Sequence, residues 1–380
     1  MKRRVAFCGT RGIPAAYGGF ETAVDEITIR LQNNEYQCDV FCRSMEDREP
    51  EFVDERRIIF IKGSENRKLD TFISSINTGL YLLKNRKEYD FVFWFNNANL
   101  PGIFITRIIG IPMAVNTDGL EWRRAKWSLP FKLYYFLSSL FISLICKNLI
   151  SDSQGIKDYY YKKFKKRTIM IPYGAPNPIE IRDQRKDEIL QEYAVMKNKY
   201  FIQITRFEPD NLPLKVIESF IKSKLYEDGY QFLLIGYKDS NNYSEQILKY
   251  DGGYGVRVLN ALYDKEKLQV LRENAFSYVH GNSVGGTNPA LLEAMTSSQR
   301  VMAIDIVFSH EVLGELGTYF KIENLHHKFK EILKSESNQK LLKLSVEKKY
   351  DWNDVAEKYK NISLNWAAVL KKNREYTLES

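Results

Sequence analysis

Histidine and cysteine are scarce in this chain, four of each in 380 residues. His280, His310, His326 and His327 fall into no metal-ligand spacing, and Cys8, Cys38, Cys42 and Cys146 form no C-x-x-C pair. That argues against a structural zinc site and a disulfide framework. Cys8 and Cys146 sit in apolar stretches and read as buried thiols of a protein in a reducing cytoplasm. Spanning hydrophobic runs are missing too. The uncharged stretch Leu133–Cys146 is too short to cross a bilayer, which takes about 20 residues. After Met1-Lys2-Arg3-Arg4 the apolar residues stop by Gly9, too soon for a secretory signal. There is no low-complexity tract and no repeat beyond a likeness between two halves.

What is present suits a globular protein. Hydrophobic residues make up 44% and charged residues 27% of the chain. Its length suits two domains, each with its own core. The net charge of +8 is unevenly placed. Arg123, Arg124, Lys126 and Lys132 precede the uncharged run. Lys157, Lys162, Lys163, Lys165, Lys166 and Arg167 follow it, among Tyr159, Tyr160, Tyr161 and Phe164. Cations beside aromatics and leucines suit an anionic membrane surface. A core helix with a solvated basic flank has the same spelling. No nucleic-acid motif accompanies the charge, so nucleic acid is not an expected partner.

The first half alternates strand and helix signals. Strands are expected at 4–8, 37–42, 57–61, 91–95, 113–116, 149–151 and 168–171, with helices at 20–32, 70–85, 101–109, 130–147 and 153–164. Pro172-Tyr173-Gly174-Ala175-Pro176-Asn177-Pro178 breaks the pattern. The alternation resumes with strands at 200–205, 231–235, 256–259, 276–280 and 300–303. This is a doubly wound α/β pattern twice over. The expected division is a first Rossmann-like domain over 1–174, a hinge or linker over 175–198, a second domain over 199–345, and a terminal segment over 346–380. In that last segment Val355, Tyr359, Ile362 and Trp366 share one helical face.

Two loops carry the chemistry. Val5-Ala6-Phe7-Cys8 runs into Gly9, Gly12 and then Gly18-Gly19 before a helix. Phe276–His280 runs into Gly285-Gly286-Thr287-Asn288-Pro289, where Asn288 suits an N-cap and Pro289 the first helical position. Neither is G-x-G-x-x-G, so the dinucleotide fingerprint fails. The amides of Gly286, Thr287 and Asn288 would point from a helix N-terminus, where anions bind. One such loop per half suggests two facing Rossmann-like domains with a phosphate ligand between them. Arg206 ends the first strand of the second half, where a guanidinium can clamp phosphate oxygens.

Gly9-Thr10-Arg11-Gly12-Ile13-Pro14 with Tyr17-Gly18-Gly19-Phe20-Glu21-Thr22, Asp118-Gly119-Leu120-Glu121-Trp122, and Gly285-Gly286-Thr287-Asn288-Pro289 together resemble one group of GT-B glycosyltransferases. It is the family-4 retaining branch that includes bacterial β1-4 rhamnosyltransferases of capsule and surface-polysaccharide synthesis. The resemblance runs over almost the whole chain. It implies the GT-B fold, an α/β architecture of two facing doubly wound domains with an interdomain cleft. It further implies a terminal helix that crosses back to the first domain.

The same resemblance implies transfer of L-rhamnose from dTDP-L-rhamnose to a lipid-diphosphate-linked saccharide. That would place a cytoplasmic protein at the inner face of the membrane. Gly18, Gly19, Arg206, Gly286, Thr287, Asn288 and Glu293 would hold the donor, with Glu293 on the ribose. Asp118 and Glu121, together with Arg206, would stand at the catalytic centre. Three departures from the broader family pattern stand out. Asn211 occupies a usual lysine position, Gly285 a usual glutamate position, and Asp118 lies near a usual histidine. No cofactor is implied, and no Asp-x-Asp triplet occurs, which argues against a metal-dependent GT-A enzyme. A UDP-hexose transferase, a sugar-nucleotide epimerase and a silent GT-B-like assembly subunit are the alternatives.

Overall fold

The computed structural model describes residues 2–14, 18–66, 69–117, 119–125, 127–236 and 242–375, the last helix by its backbone alone from residue 367. The chain divides into two compact units. Unit 1 takes Met1–Arg123, Trp127–Gly174 and Asp351–Ser380; unit 2 takes Arg124–Lys126 and Ala175–Tyr350.

Unit 1 is built on eight strands: β1 (Arg3–Cys8), β2 (Tyr36–Ser44), β3 (Glu51–Val53), β4 (Arg56–Lys62), β5 (Phe91–Phe95), β6 (Met113–Asn116), β7 (Asn148–Ser151) and β8 (Ile169–Met170). Their order is β3-β4-β2-β1-β5-β6-β7-β8, and all neighbours are parallel except β3 with β4. Parallel strands are covered on both faces, hence near-continuous apolar runs such as the fully buried Phe91–Phe95. Helix α1 (Gly19–Leu31) carries the chain leftward from β1 to β2. Helices α2 (Asp70–Lys84), α3 (Leu100–Ile109), α4 (Leu129–Ile145) and α5 (Gln154–Phe164) carry it rightward. Right-handed crossovers therefore place α1 on one face of the sheet and α2 to α5 on the other.

Unit 2 has six strands: β9 (Tyr200–Ile204), β10 (Gln231–Gly236), β11 (Val256–Asn260), β12 (Ser277–His280), β13 (Val301–Ile304) and β14 (Thr318–Phe320). They are ordered β11-β10-β9-β12-β13-β14 and all parallel. Its helices include α6 (Asp183–Glu192), α7 (Pro213–Ser223), α8 (Asn242–Leu248), α9 (Lys265–Asn274), α10 (Pro289–Ser297), α11 (Val307–Leu313), α12 (Leu325–Glu331) and α13 (Gln339–Lys349). The core lies under α7, where Phe201, Phe220, Phe232 and Phe329 meet edge to face or tilted. The terminal helix α14 (Trp352–Glu375) packs on α1 in unit 1. There Tyr359 stacks over Phe95, and its hydroxyl accepts from Asn116 Nδ2 at 2.7 Å.

Two features differ from the sequence expectation. The segment read as a linker, 175–198, holds α6 and belongs to unit 2. Only Ile189 and Leu190 of α6 are buried; ion pairs to α9 hold the rest, Arg185–Glu266 at 2.7 Å and Lys186–Glu273 at 3.4 Å. A helix held by charge carries little apolar periodicity. The three-residue strand β3 was not expected either. It pairs back on β4 through Asp54 and Glu55, both at positive φ, without the Asn-Gly spelling of such turns.

Candidate functional site

In unit 2 the strand order reverses between β9 and β12, because β10 and β11 lie to one side and β13 and β14 to the other. Ligands of open parallel sheets bind beyond the strand C-termini at such a switch point. The two loops that leave it are 205–212 and 281–288, the two that carry Arg206 and the Gly-Gly pair. They are stitched together. Ser283 donates from its amide and its hydroxyl to the Asp210 carbonyl, at 2.9 and 2.8 Å. Thr205 Oγ1 donates to Asn282 Oδ1 at 3.3 Å. A Cβ on Gly281 would meet the Asn211 carbonyl at 2.5 Å, so glycine is what allows the close approach.

The second loop ends as the sequence reading expects. Asn288 caps α10, its Oδ1 accepting from the Ala290 amide at 3.0 Å, and Pro289 opens the helix. Gly285 stands at φ 138, a conformation that side chains rarely adopt. No acidic residue occupies the first turn of α10. A pocket beside this helix end is lined by His280, Asn282, Gly285, Gly286, Asn288 and Ser309, among others. His280 is buried there, and desolvation pushes its pKa down to about 3, so it is neutral. Thr287 is buried next to the cap.

Arg206 is half-exposed, with its guanidinium 3.6 Å from Glu208. Arg124 groups with unit 2, where the neighbouring Ala125 amide donates to both carboxylate oxygens of Asp210, at 3.1 and 3.0 Å. Its guanidinium lies 4.0 Å from the other Glu208 carboxylate oxygen, and it is the nearest group to a Cβ built on Gly285. Two guanidiniums thus bracket one carboxylate beside the glycine loop. Sequence reading assigned Arg124 to a membrane-facing flank, and nothing in its spacing signals this place. Asn211, at the position of the missing lysine, is buried and donates to the Arg206 carbonyl at 3.0 Å. It braces the loop and carries no charge.

Glu293 lies in the second turn of α10, a third exposed, with its carboxylate held by the buried Arg272 of α9. Arg272 was not singled out from the sequence.

Unit 1 has its own switch point between β1 and β5. Gly18 is at φ 144, and a Cβ there would collide with the Glu21 carboxylate. That carboxylate accepts from the Arg11 amide at 3.0 Å, closing the loop on the first turn of α1, which Gly19 opens. Asn99 Nδ2 reaches the Gly9 carbonyl at 3.0 Å from the loop after β5. This asparagine-rich segment, Asn96-Asn97-Ala98-Asn99, is a second feature the sequence reading passed over. Glu121 accepts from Trp127 Nε1 at 2.9 Å. Trp122 packs against Phe136 and Tyr159, at 5.7 and 5.8 Å between ring centres. Asp118 lies outside the described residues. Among the described residues no three His, Cys, Asp or Glu side chains gather as a metal site.

Two doubly wound parallel-sheet units in one chain make up the GT-B fold. Comparison with solved structures agrees. The chain is similar over 97% of its length to the whole of a sucrose-phosphate synthase from Thermosynechococcus elongatus, at 17% identity and a TM-score of 0.78. It is similar to Anabaena HepE in complex with UDP and glucose, over 95% of this chain and 99% of that one, at 12% identity and a TM-score of 0.72. A glycosyltransferase from Rickettsia africae matches over 95% and 98%, at 15% identity and 0.69. A family model described as a domain of unknown function, DUF1972, matches residues 2–176. No curated protein matches the chain.

Proposed function

We propose that the protein is a glycosyltransferase that takes a nucleotide-sugar donor in unit 2. The observation that carries this is the stitching of the Arg206 loop to the loop that leads into the acid-free N-terminus of α10, at the β9–β12 switch point. A diphosphate there would accept from loop amides and meet the helix dipole. It would also draw the half-exposed Arg206 away from its 3.6 Å pairing with Glu208. Arg272 would hold the Glu293 carboxylate ready for ribose hydroxyls. The neutral His280 would add a hydrogen-bonding group without repelling the sugar.

The favoured donor is dTDP-L-rhamnose, and the favoured acceptor a lipid-diphosphate-linked saccharide of surface-polysaccharide synthesis. Both rest on the resemblance of the glycine-loop motifs, as does retention of configuration. In the proposed step the bond from the sugar C1 to the donor phosphate oxygen breaks. The acceptor hydroxyl oxygen bonds to C1, and its proton passes to the departing phosphate. Arg206 and the 286–288 amides stabilise the charge that develops there. A UDP-glucose-type donor is the second reading. It is favoured by the likeness to HepE, solved with UDP and glucose, and to an E. coli trehalose-6-phosphate protein bound with UDP-2-fluoro glucose. A lipid-linked acceptor would bring the protein to an anionic membrane face.

The test is a thermal-shift and turnover panel of dTDP-, UDP- and GDP-sugars, with product analysis. Stabilisation by one nucleotide class, with transfer of its sugar, is expected, and activity should survive excess chelator. Hydrolysis or epimerisation without transfer, or a strict need for added Mg²⁺, overturns the reading.

A further inference from the structure

Three neighbouring helices of unit 1 are amphipathic the wrong way round. Helix α4 buries Ser138, Ser139 and Ser143 with Tyr135 and Ile142, and turns Leu133, Leu137, Phe141 and Leu144 outward. Helix α3 buries Gly102, Ile103 and Thr106 and exposes Phe104 and Ile108. Helix α2 buries Ser74, Ser75, Thr78, Gly79 and Leu82 and exposes Leu80 and Leu83. Small inward residues let the helices pack closely. A Cβ on Gly79 would meet Ile105 of α3 at 2.9 Å, and the Gly102 amide donates to Ser75 Oγ at 2.9 Å. A helix on a water-soluble surface shows the reverse, with its apolar stripe toward the core. Here Ile108 is 68% exposed and Leu144 72%. Outward apolar side chains on three adjacent helices make one face, far beyond the scattered exposure of an ordinary surface.

Charge on the three helices themselves is mainly positive. Helices α3 and α4 contain no acidic residue, and Arg107 and Lys132 are their only ionisable cations. Lys84 and Lys147 follow at the ends of α2 and α4. The one acid in α2, Asp70, is bound to Arg43 at 2.9 Å. We propose that the outer face of α2, α3 and α4 is a membrane-docking surface, with its leucines and phenylalanines among the acyl chains and its cations on anionic headgroups. A second copy of the chain fits worse, since a two-fold interface would set the same cations against one another. Docking of this kind combines apolar burial with attraction to anionic lipid. It extends the membrane role assigned above to the basic end of α5, but stands on this surface alone and needs no donor or acceptor.

The test is co-sedimentation of the full chain with phosphatidylcholine vesicles, with and without phosphatidylglycerol, at low and high salt. Wild type should sediment with the anionic vesicles and less so in salt. Phe141→Glu and Ile108→Glu should each lower partitioning by about tenfold. Leu344→Glu, an equally exposed position on α13 in unit 2, should leave it unchanged. Phe141→Ser keeps the readout available should a charge there unfold the chain, and should weaken binding less. Failure of wild type to sediment at low salt overturns the proposal. So does normal binding by both glutamate variants, or a wild-type dimer in light scattering that Phe141→Glu makes monomeric. Nucleotide thermal shifts on the same variants keep a failure of docking distinct from a failure of the transferase reading.

Discussion

The two glycine loops are spelled almost alike and do opposite things. In unit 1, Gly18-Gly19-Phe20-Glu21 opens α1, and Glu21 turns back to take the Arg11 amide and lie against Gly18. The positive end of α1 already holds a carboxylate. In unit 2, Gly285-Gly286-Thr287-Asn288 leads into α10, and the residue two past the second glycine is a neutral asparagine. It caps the helix without adding charge, and the loop that carries Arg206 is stitched to this one through Ser283 and Asn282. A carboxylate in the first turn of α1 and a neutral asparagine at the cap of α10 separate a self-satisfied turn from one that favours an anion.

The sharpest way to break this comparison is Arg206→Ala. Loss of a charge-assisted bond to the diphosphate costs about 1.5–3 kcal/mol, roughly ten- to a hundredfold in turnover and donor affinity together. Wild-type values in a folded variant would remove the unit 2 loop from consideration. Acid should separate the units next. With its folded pKa near 3 against an ordinary 6.5, His280 makes the unfolded state bind the extra proton. Stability that it contributes is full above pH 6.5 and is lost on the way down to pH 3, by up to about 1.4 kcal/mol per pH unit. In unit 1 burial raises the pKa of Asp39, which has the opposite sign: its protonated form suits the fold, and that advantage fades as pH rises. Denaturation followed by pH should show an acid-sensitive unit 2 transition that His280→Asn flattens. An unchanged pH profile in that variant assigns the sensitivity elsewhere.

Smaller effects sharpen the contrast. Asn288→Ala removes the cap of α10 and should cost about 1 kcal/mol, read from the denaturant midpoint, with weaker nucleotide binding. An unchanged midpoint would mean the cap bond contributes nothing. Glu21→Gln should cost only about 0.5 kcal/mol, because the amide oxygen can still accept from Arg11. Donor affinity should stay within about twofold. A large gain in affinity would show that the first loop is itself a phosphate site held shut by Glu21.

Much of the fold was legible because buried parallel strands have little choice of residue. Phe91–Phe95 and Met113–Asn116 match the expected strands residue for residue. The Asn288 cap and Pro289 start were legible for a similar reason: local chemistry dictates them. The charged helix α6 was not, since its partners lie on α9, far along the chain. Nor were Arg124 and Arg272, whose roles depend on Glu208 and Glu293 lying opposite them.

Helix α4 shows where sequence ends. Leu129–Ile145 announces a helix by itself, but both of its faces are made of residues that could be buried. Periodicity fixes the spacing of a stripe, not the direction in which it points. Only the packed sheet decided that, because Ser138, Ser139 and Ser143 are small enough to approach it and Leu133, Leu137 and Phe141 were left on the outside.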